Sequence, residues 1–134
     1  MTRTLICLVE DYKEVEVMVT KMLKFAGHDV ISAPSGAILD IILHQQVEPD
    51  LFLIDLSLPD ESGLSIMRRL RGDARYKDTP MVALSALSAH AFRREAIKLG
   101  FDGFIAKPFD MATFNRIVRG YLKRRRVAAS AQAS

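Results

Sequence analysis

The sequence contains a single cysteine among its 134 residues. Cys7 lies inside the apolar run 5–9, a setting typical of a buried, inert thiol. One cysteine excludes a disulfide within the chain. The three histidines, His28, His44 and His90, are scattered along the sequence and lack the spacing of transition-metal ligands. The scarcity of both residue types therefore argues against a disulfide-based fold and against a zinc-type site.

Long hydrophobic runs and N-terminal targeting features are also missing. No uncharged stretch approaches the ~20 residues of a membrane-spanning helix, and the first residues lack the basic-then-apolar layout of a signal peptide. We therefore expect a cytoplasmic protein without a membrane partner.

The charge balance is only mildly basic. The apolar content of 49% against 26% charged residues is typical of one soluble globular domain, and no internal repeat is present. Much of the formal charge of +3 comes from the basic run 123–126, with Arg116 and Arg119 just before it. Because no aromatic residues or recognition helix accompany that run, we interpret it as a solvated helix end and expect no nucleic-acid partner.

Continuous apolar runs such as 5–9 are typical of strands covered on both faces. Five short segments in all predict strands. They are residues 5–9, 29–32, 51–55, 81–84 and 104–106. Apolar stripes at helical spacing follow each run, within residues 15–26, 35–46, 64–70, 89–99 and 111–122. Ser35 and Asp110 are candidate caps for the second and fifth helices. This alternation predicts an α/β domain with a doubly wound parallel sheet, over residues 1–126, followed by a disordered tail at 127–134.

Polar side chains stand where the predicted strands end. Glu10 and Asp11 follow the first strand, Asp55 ends the third, Ser85 follows the fourth and Lys107 the fifth. Ligands of open parallel sheets bind at the carboxyl ends of the strands, and the strand order 2-1-3-4-5 would bring the three carboxylates together. Two such charges at 4 Å repel by about 4 kcal/mol at an effective dielectric of about 20. A cation is therefore expected among them, and the oxygen ligands favour Mg²⁺.

This constellation has a specific chemical use. A carboxylate beside Mg²⁺ can attack phosphorus and form an acyl phosphate. Lys107 would hold a phosphoryl oxygen as a point charge, and Ser85 would donate a hydrogen bond to another.

Four motifs, in order, resemble the receiver domains of two-component response regulators. They are LVED (8–11), LIDLSLPDESG (53–63), ALSA (83–86) and GFIAKPF (103–109), and the resemblance covers about residues 4–122. It implies a flavodoxin-like (βα)5 fold with five parallel strands in the order 2-1-3-4-5. It also implies that Asp55 is the phosphoacceptor. Asp11 would coordinate Mg²⁺ directly, Glu10 through water, and Ser57 through its main-chain carbonyl.

The resemblance further implies a switch and partners. Lys107 matches the phosphate-binding lysine, Ser85 the switch hydroxyl and Phe104 the switch aromatic. Glu10 stands where Asp is common and Phe104 where Tyr is frequent. The expected partners are a sensor histidine kinase or a histidine phosphotransfer protein, and a downstream protein target. The surface of the fourth helix, fifth strand and fifth helix is the expected docking face and a candidate homodimer face. Since the chain ends soon after its last helix, we expect a stand-alone receiver.

Simpler interpretations of the same residues remain open. Asp55 could be a turn residue, Glu10 and Asp11 could serve the first helix as a cap and dipole partner, and Ser85 could cap the fourth helix in competition with Ser88. Lys107 could be an ordinary surface lysine and Phe104 an ordinary core residue.

Two other functions compete with the receiver. A pseudo-receiver would bind proteins without phosphorylation. A Mg²⁺-dependent phosphohydrolase would need a second Asp two residues after the nucleophile, where this chain has Ser57. We therefore expect a phosphoacceptor rather than an enzyme, with slow loss of phosphate to water.

Overall fold

The computed structural model describes residues 3–86 and 90–133, and for 90–92 and 124–133 it describes the backbone alone. All five predicted strands are present, each with bounds within one residue of the prediction. They are β1 (Leu5–Val9), β2 (Asp29–Ala33), β3 (Leu51–Asp55), β4 (Met81–Ser85) and β5 (Gly103–Ala106).

The strands form one parallel sheet in the order β2-β1-β3-β4-β5. This order confirms the predicted doubly wound, flavodoxin-like fold. Strand β1 pairs on one side with β2 and on the other with β3, where Val9 stands opposite Ile54. The strand order therefore reverses at β1 and β3, and the carboxyl ends of both strands open at the same edge of the sheet.

Five helices connect and cover the strands. They are α1 (Lys13–Phe25), α2 (Gly36–Leu43), α3 (Gly63–Arg71), α4 (His90–Leu99) and α5 (Met111–Ala133). Ser35 caps α2 by accepting the Ile38 N–H at 3.2 Å, and Asp110 accepts the Thr113 N–H at 2.8 Å, as predicted. Gly27, just after α1, has φ 96°, which glycine adopts without steric cost.

Two predictions about helix ends are not decided by these bounds. The expected start of α4 near Ala89, and Ser88 as a cap, lie outside the described residues. Helix α5 is described as far as Ala133, and the fraying expected from residue 127 stays a prediction. Within the described ranges, no helix combines the length and apolar character needed to cross a membrane.

The core consists of two layers, one on each face of the sheet. Because side chains alternate along a strand, Cys7 and Phe52 pack on the face covered by α2, α3 and α4. Ile6 and Leu53 pack on the face covered by α1 and α5. The predicted burial of Cys7 is confirmed, and burial raises the pKa of its thiol to about 12, which keeps it protonated and unreactive.

Candidate functional site

The carboxyl edge of the sheet collects the polar residues that the sequence singles out. Glu10 follows Val9 directly and Asp55 follows Ile54, so the β1–β3 register brings these two acids side by side. One carboxylate oxygen from each of Glu10, Asp11 and Asp55 lies within 4.8 Å of the others. The structure therefore assembles the three predicted acids into one cluster.

The three acids differ in their exposure to water. Glu10 is 1% exposed and Asp55 6%, whereas Asp11 is exposed. The Glu10 Oε2 accepts the Tyr12 N–H at 3.2 Å, which orients the carboxylate. Burial, reinforced by the neighbouring Asp55 carboxylate and opposed by Lys107, raises the pKa of Glu10 to about 7. Two acids thus form the floor of the cluster, and Asp11 forms its solvent side.

Lys107 brings a positive charge to this edge of the sheet. Its Nζ donates hydrogen bonds to Glu10 Oε1 at 2.7 Å and to Asp55 Oδ2 at 3.0 Å. Burial acts to lower the pKa of Lys107, but the bonds to Glu10 and Asp55 outweigh it, and the pKa is raised. The backbone N–H of Lys107 donates to the Ser85 carbonyl at 2.7 Å. This bond holds the end of β5 against the end of β4, so the ammonium stays over the acids.

The donor chemistry of the cluster fits Mg²⁺. Three carboxylates face one ammonium, so a divalent cation would balance the remaining negative charge. The three acidic oxygens lie within 4.8 Å of one another, and carboxylate oxygens are ligands that Mg²⁺ prefers. The described protein groups suited to hold the ion are the carboxylates of Glu10, Asp11 and Asp55; the predicted part of the Ser57 main-chain carbonyl stays a prediction.

The two oxygens of Asp55 have separate partners. Asp55 Oδ1 accepts the Ser57 N–H at 2.8 Å, and Oδ2 accepts from Lys107. Gly63, the first residue of α3, packs so closely on the backbone of Asp55 and Leu56 that a Cβ there would collide with both. Only glycine therefore allows α3 to start this close to Asp55.

Ser85 and Phe104 lie on neighbouring strands beside the cluster. Both are buried, and the β4–β5 register places Phe104 opposite Ala83, two residues before Ser85. Phe104 belongs to the core layer under α4. It also lines a cavity of about 490 Å³ between β5 and α5, together with Ile117 and Tyr121. Phe104 therefore makes core contacts and also borders open space at this edge of the sheet.

Sequence reasoning missed the residues that fix the β3–α3 loop (residues 56–62). Asp60 in this loop accepts hydrogen bonds from the N–H groups of Gly36 and Ala37 at the start of α2. The partners are 24 and 23 residues apart, beyond the reach of any local capping pattern. Asp60 looked like an ordinary loop residue.

Comparison with known proteins agrees with this geometry. Residues 6–119 match the family described as the response regulator receiver domain. The chain belongs to this family. This receiver domain is 34% identical over 119 residues to RpaA of Synechocystis, named as a DNA-binding dual master transcriptional regulator. The match covers 89% of this chain and 49% of RpaA, and the chain spans about half the length of the curated regulators it matches.

Solved structures share the fold of the receiver domain. The chemotaxis response regulator CheY4 of Vibrio cholerae superposes with a TM-score of 0.81 at 24% identity, covering 90% of this chain and 99% of CheY4. The receiver domain of sensor histidine kinase PA1611 from Pseudomonas aeruginosa superposes with a TM-score of 0.80 at 27% identity, covering 91% and 99%. That structure has a magnesium ion coordinated in its active site cleft. The predicted family, fold and two-component class are confirmed.

Proposed function

We propose that this receiver domain accepts a phosphoryl group on Asp55 from a phosphohistidine of a sensor histidine kinase or a phosphotransfer protein. One observation carries the proposal. Asp55 sits at the carboxyl edge of the sheet within 4.8 Å of two further acids, and its Oδ2 is bonded to Lys107 at 3.0 Å. A buried carboxylate between acids and an ammonium is suited to receive phosphorus once a metal balances the charge.

The residues divide the work of the transfer. A carboxylate oxygen of Asp55 forms a bond to phosphorus while the bond from phosphorus to the histidine nitrogen breaks, and that nitrogen keeps the electron pair. Bound Mg²⁺ would neutralise charge on the phosphoryl oxygens. Glu10, Asp11 and the Ser57 carbonyl would hold the ion, and Lys107 would exchange an acid partner for a phosphoryl oxygen. Water later cleaves the acyl phosphate slowly, so the domain is a signalling protein that catalyses only its own modification.

Phosphorylation would then switch a partner surface. The phosphoryl group adds nearly two negative charges and new hydrogen-bond acceptors, which draw Ser85 towards it. The Phe104 ring would move into the space that Ser85 leaves and change the surface of α4, β5 and α5. This is a population shift, and a target that prefers the shifted packing strengthens it by linkage. That surface is proposed to bind a downstream protein.

The proposal has further features. Four of them stay predictions: a stand-alone arrangement, a cytoplasmic location, relay of phosphate to another protein, and a homodimer through α4, β5 and α5. The expected lack of a nucleic-acid partner also stays a prediction, because RpaA is named as DNA-binding.

The test is intact mass after incubation with Mg²⁺ and a small phosphodonor. We expect a labile adduct of about 80 Da, one phosphoryl group, on the wild-type protein and none on Asp55→Asn. The exposed Asp78→Asn is the matched control and should be modified like wild type. A folded wild-type protein without an adduct would instead favour a pseudo-receiver that binds proteins without phosphorylation. Rapid repeated turnover of the donor would favour a phosphohydrolase.

A further inference from the structure

The β3–α3 loop connects the phosphoacceptor strand to α3 and contains Ser57. At its start, the Ser57 N–H donates a hydrogen bond to Asp55 Oδ1 at 2.8 Å. The Gly63 N–H donates to the Leu56 carbonyl at 3.1 Å, which joins the two ends of the loop. Residues 57–60 include no helix or strand, and Ser57, Pro59 and Asp60 are exposed. Leu58 between them packs against the core layer, and the exposed end of the loop around Asp60 makes its own contact with another segment.

Asp60 supplies that contact. Its Oδ1 accepts the Gly36 N–H at 3.1 Å and its Oδ2 accepts the Ala37 N–H at 3.0 Å. Both donors belong to the first turn of α2, where backbone N–H groups have no partner within the helix. The two bonds lower the pKa of Asp60, so the carboxylate is ionised at neutral pH and suits the positive end of the helix dipole.

A second contact between the same segments stands beside the first. Arg69 on α3 donates to both oxygens of Glu61, at 2.9 and 3.1 Å, and to Asp40 Oδ1 on α2 at 3.0 Å. Glu61 in turn packs against Gly36 so closely that a Cβ at position 36 would collide with it. The loop is thus joined to α2 by a bidentate cap and by a bridging arginine, next to a glycine that permits the approach.

Helix α2 provides a rigid support for this contact. Leu39 and Leu43 anchor it in the core layer, and Ser35 caps it separately through Ile38. The residue before that cap region, Ala33, accepts the Glu10 N–H at 3.0 Å. The segment that holds the β3–α3 loop therefore also borders the acidic cluster.

We propose that Asp60 is a positioning residue of the phosphorylation site: by capping α2 it holds the β3–α3 loop, and with it the Ser57 carbonyl, in the place that completes the metal site. The inference rests on the proposed function, both for the Ser57 carbonyl as a metal ligand and for the role of the metal in phosphorylation. It adds a residue outside the acidic cluster whose loss acts on metal binding through the loop. Partners that orient metal ligands typically change affinity by ~10–100-fold when removed.

The test compares Asp60→Ala and Asp60→Asn with Ser35→Ala. Ser35→Ala is the matched control, because it removes a cap from the same end of α2 without touching the loop. Circular dichroism and urea unfolding report folding, titration calorimetry with Mg²⁺ alone reports metal affinity, and intact mass after phosphoramidate reports phosphorylation. We expect Asp60→Ala to weaken Mg²⁺ binding by ~10-fold or more and to slow adduct formation. Asp60→Asn keeps one acceptor oxygen, so its Mg²⁺ affinity should fall between those of wild type and Asp60→Ala. Ser35→Ala should bind Mg²⁺ like wild type.

Two results would overturn the inference. One is a folded Asp60→Ala that binds Mg²⁺ as tightly as wild type. The other is an equal loss of Mg²⁺ affinity in Ser35→Ala, which would mean that the stability of α2 alone is responsible. Should Asp60→Ala fail to fold, Asp60→Asn carries the same comparison. If the wild type forms no acyl phosphate while its Mg²⁺ affinity still depends on Asp60, the phosphoacceptor function is wrong and the positioning role stands.

Discussion

Lys107 and Glu10 are 97 positions apart in the sequence, yet the Lys107 Nζ lies 2.7 Å from Glu10 Oε1. The same ammonium lies 3.0 Å from Asp55 Oδ2. Glu10 is 1% exposed, so its charge has little help from solvent. The lysine therefore opposes the repulsion among the acids at the place where a bound metal would also balance their charge.

Replacing this lysine should make the fold more dependent on Mg²⁺. We expect Lys107→Ala to lose about 1–3 kcal/mol of unfolding free energy, less than the loss for a fully enclosed ion pair, because Asp11 keeps the cluster in contact with water. Saturating Mg²⁺ should then stabilise the variant more than wild type, since the ion replaces the missing charge. Urea unfolding with and without Mg²⁺ measures both effects, with the exposed Lys21→Ala as control. Equal stabilisation of variant and wild type by Mg²⁺ would contradict the prediction.

A second cationic contact, at the opposite end of the sheet, should affect stability alone. Arg71 at the end of α3 donates to the carbonyls of Thr79 at 2.9 Å and Gly100 at 3.1 Å and to Asp102 Oδ2 at 2.6 Å. We expect Arg71→Ala to cost about 2 kcal/mol, the range of hydrogen bonds to charged groups. Arg71→Lys should not recover the lost stability, because an ammonium cannot reproduce the forked hydrogen bonds of the guanidinium.

Chemical denaturation of Arg71→Ala, Arg71→Lys and Arg68→Ala checks this expectation. Arg68 lies on the same helix and is exposed, so its loss should change the unfolding free energy little. Mg²⁺ affinity should stay at the wild-type value in all three proteins. A fully stable Arg71→Lys would show that charge alone, without the fork geometry, holds these loops.

His28 should make the fold sensitive to acid. The residue is 8% exposed, its Nε2 has no hydrogen-bond partner within the described part of the chain, and burial together with the nearby Arg3 lowers its pKa. The unfolded chain takes up a proton near pH 6.5, while the folded protein resists it to lower pH. The unfolded state therefore binds more protons in this window. Stability is present above about pH 6.5 and is lost as the pH falls through the folded pKa.

The measurement is the unfolding free energy between about pH 7.5 and pH 5 for wild type and His28→Gln. We expect the difference between the two to change with pH in that window, because the variant lacks the titrating ring. His44→Gln is the control, since His44 is exposed. A constant difference between wild type and His28→Gln would show that His28 does not contribute to the acid sensitivity.

Local sequence patterns were sufficient to predict the strands and helices of the fold. Short, mostly apolar segments predicted each strand to within a residue. The signal is clearest for β1, β3 and β4, because a strand buried on both faces has nearly continuous apolar side chains. Ser35 and Asp110 were recognisable as caps, because a capping side chain binds backbone only a few positions away. The cluster of Glu10, Asp11 and Asp55 followed from one further assumption, the order of the strands.

Contacts between distant segments were not predictable in the same way. No periodic pattern relates the partners in three such contacts. They are the hydrogen bonds of Asp60 to the start of α2, of Arg71 to the loops at Thr79 and Gly100, and of Lys107 to Glu10. The size of the Phe104 cavity likewise depends on how α5 packs on β5. These features depend on the distances that the assembled layers leave between side chains.

The sequence by itself determined which segments form strands and helices, which residues end the strands, and the receiver family to which the chain belongs. It could do so because propensity, alternation and motif spacing act over a few residues. Only the tertiary structure decided which oxygen Lys107 binds, which helix holds the β3–α3 loop and where space lies beside Phe104. Hydrogen bonds and packing act over a few ångströms in space, and a linear order of residues contains no such distances until the sheet has assembled.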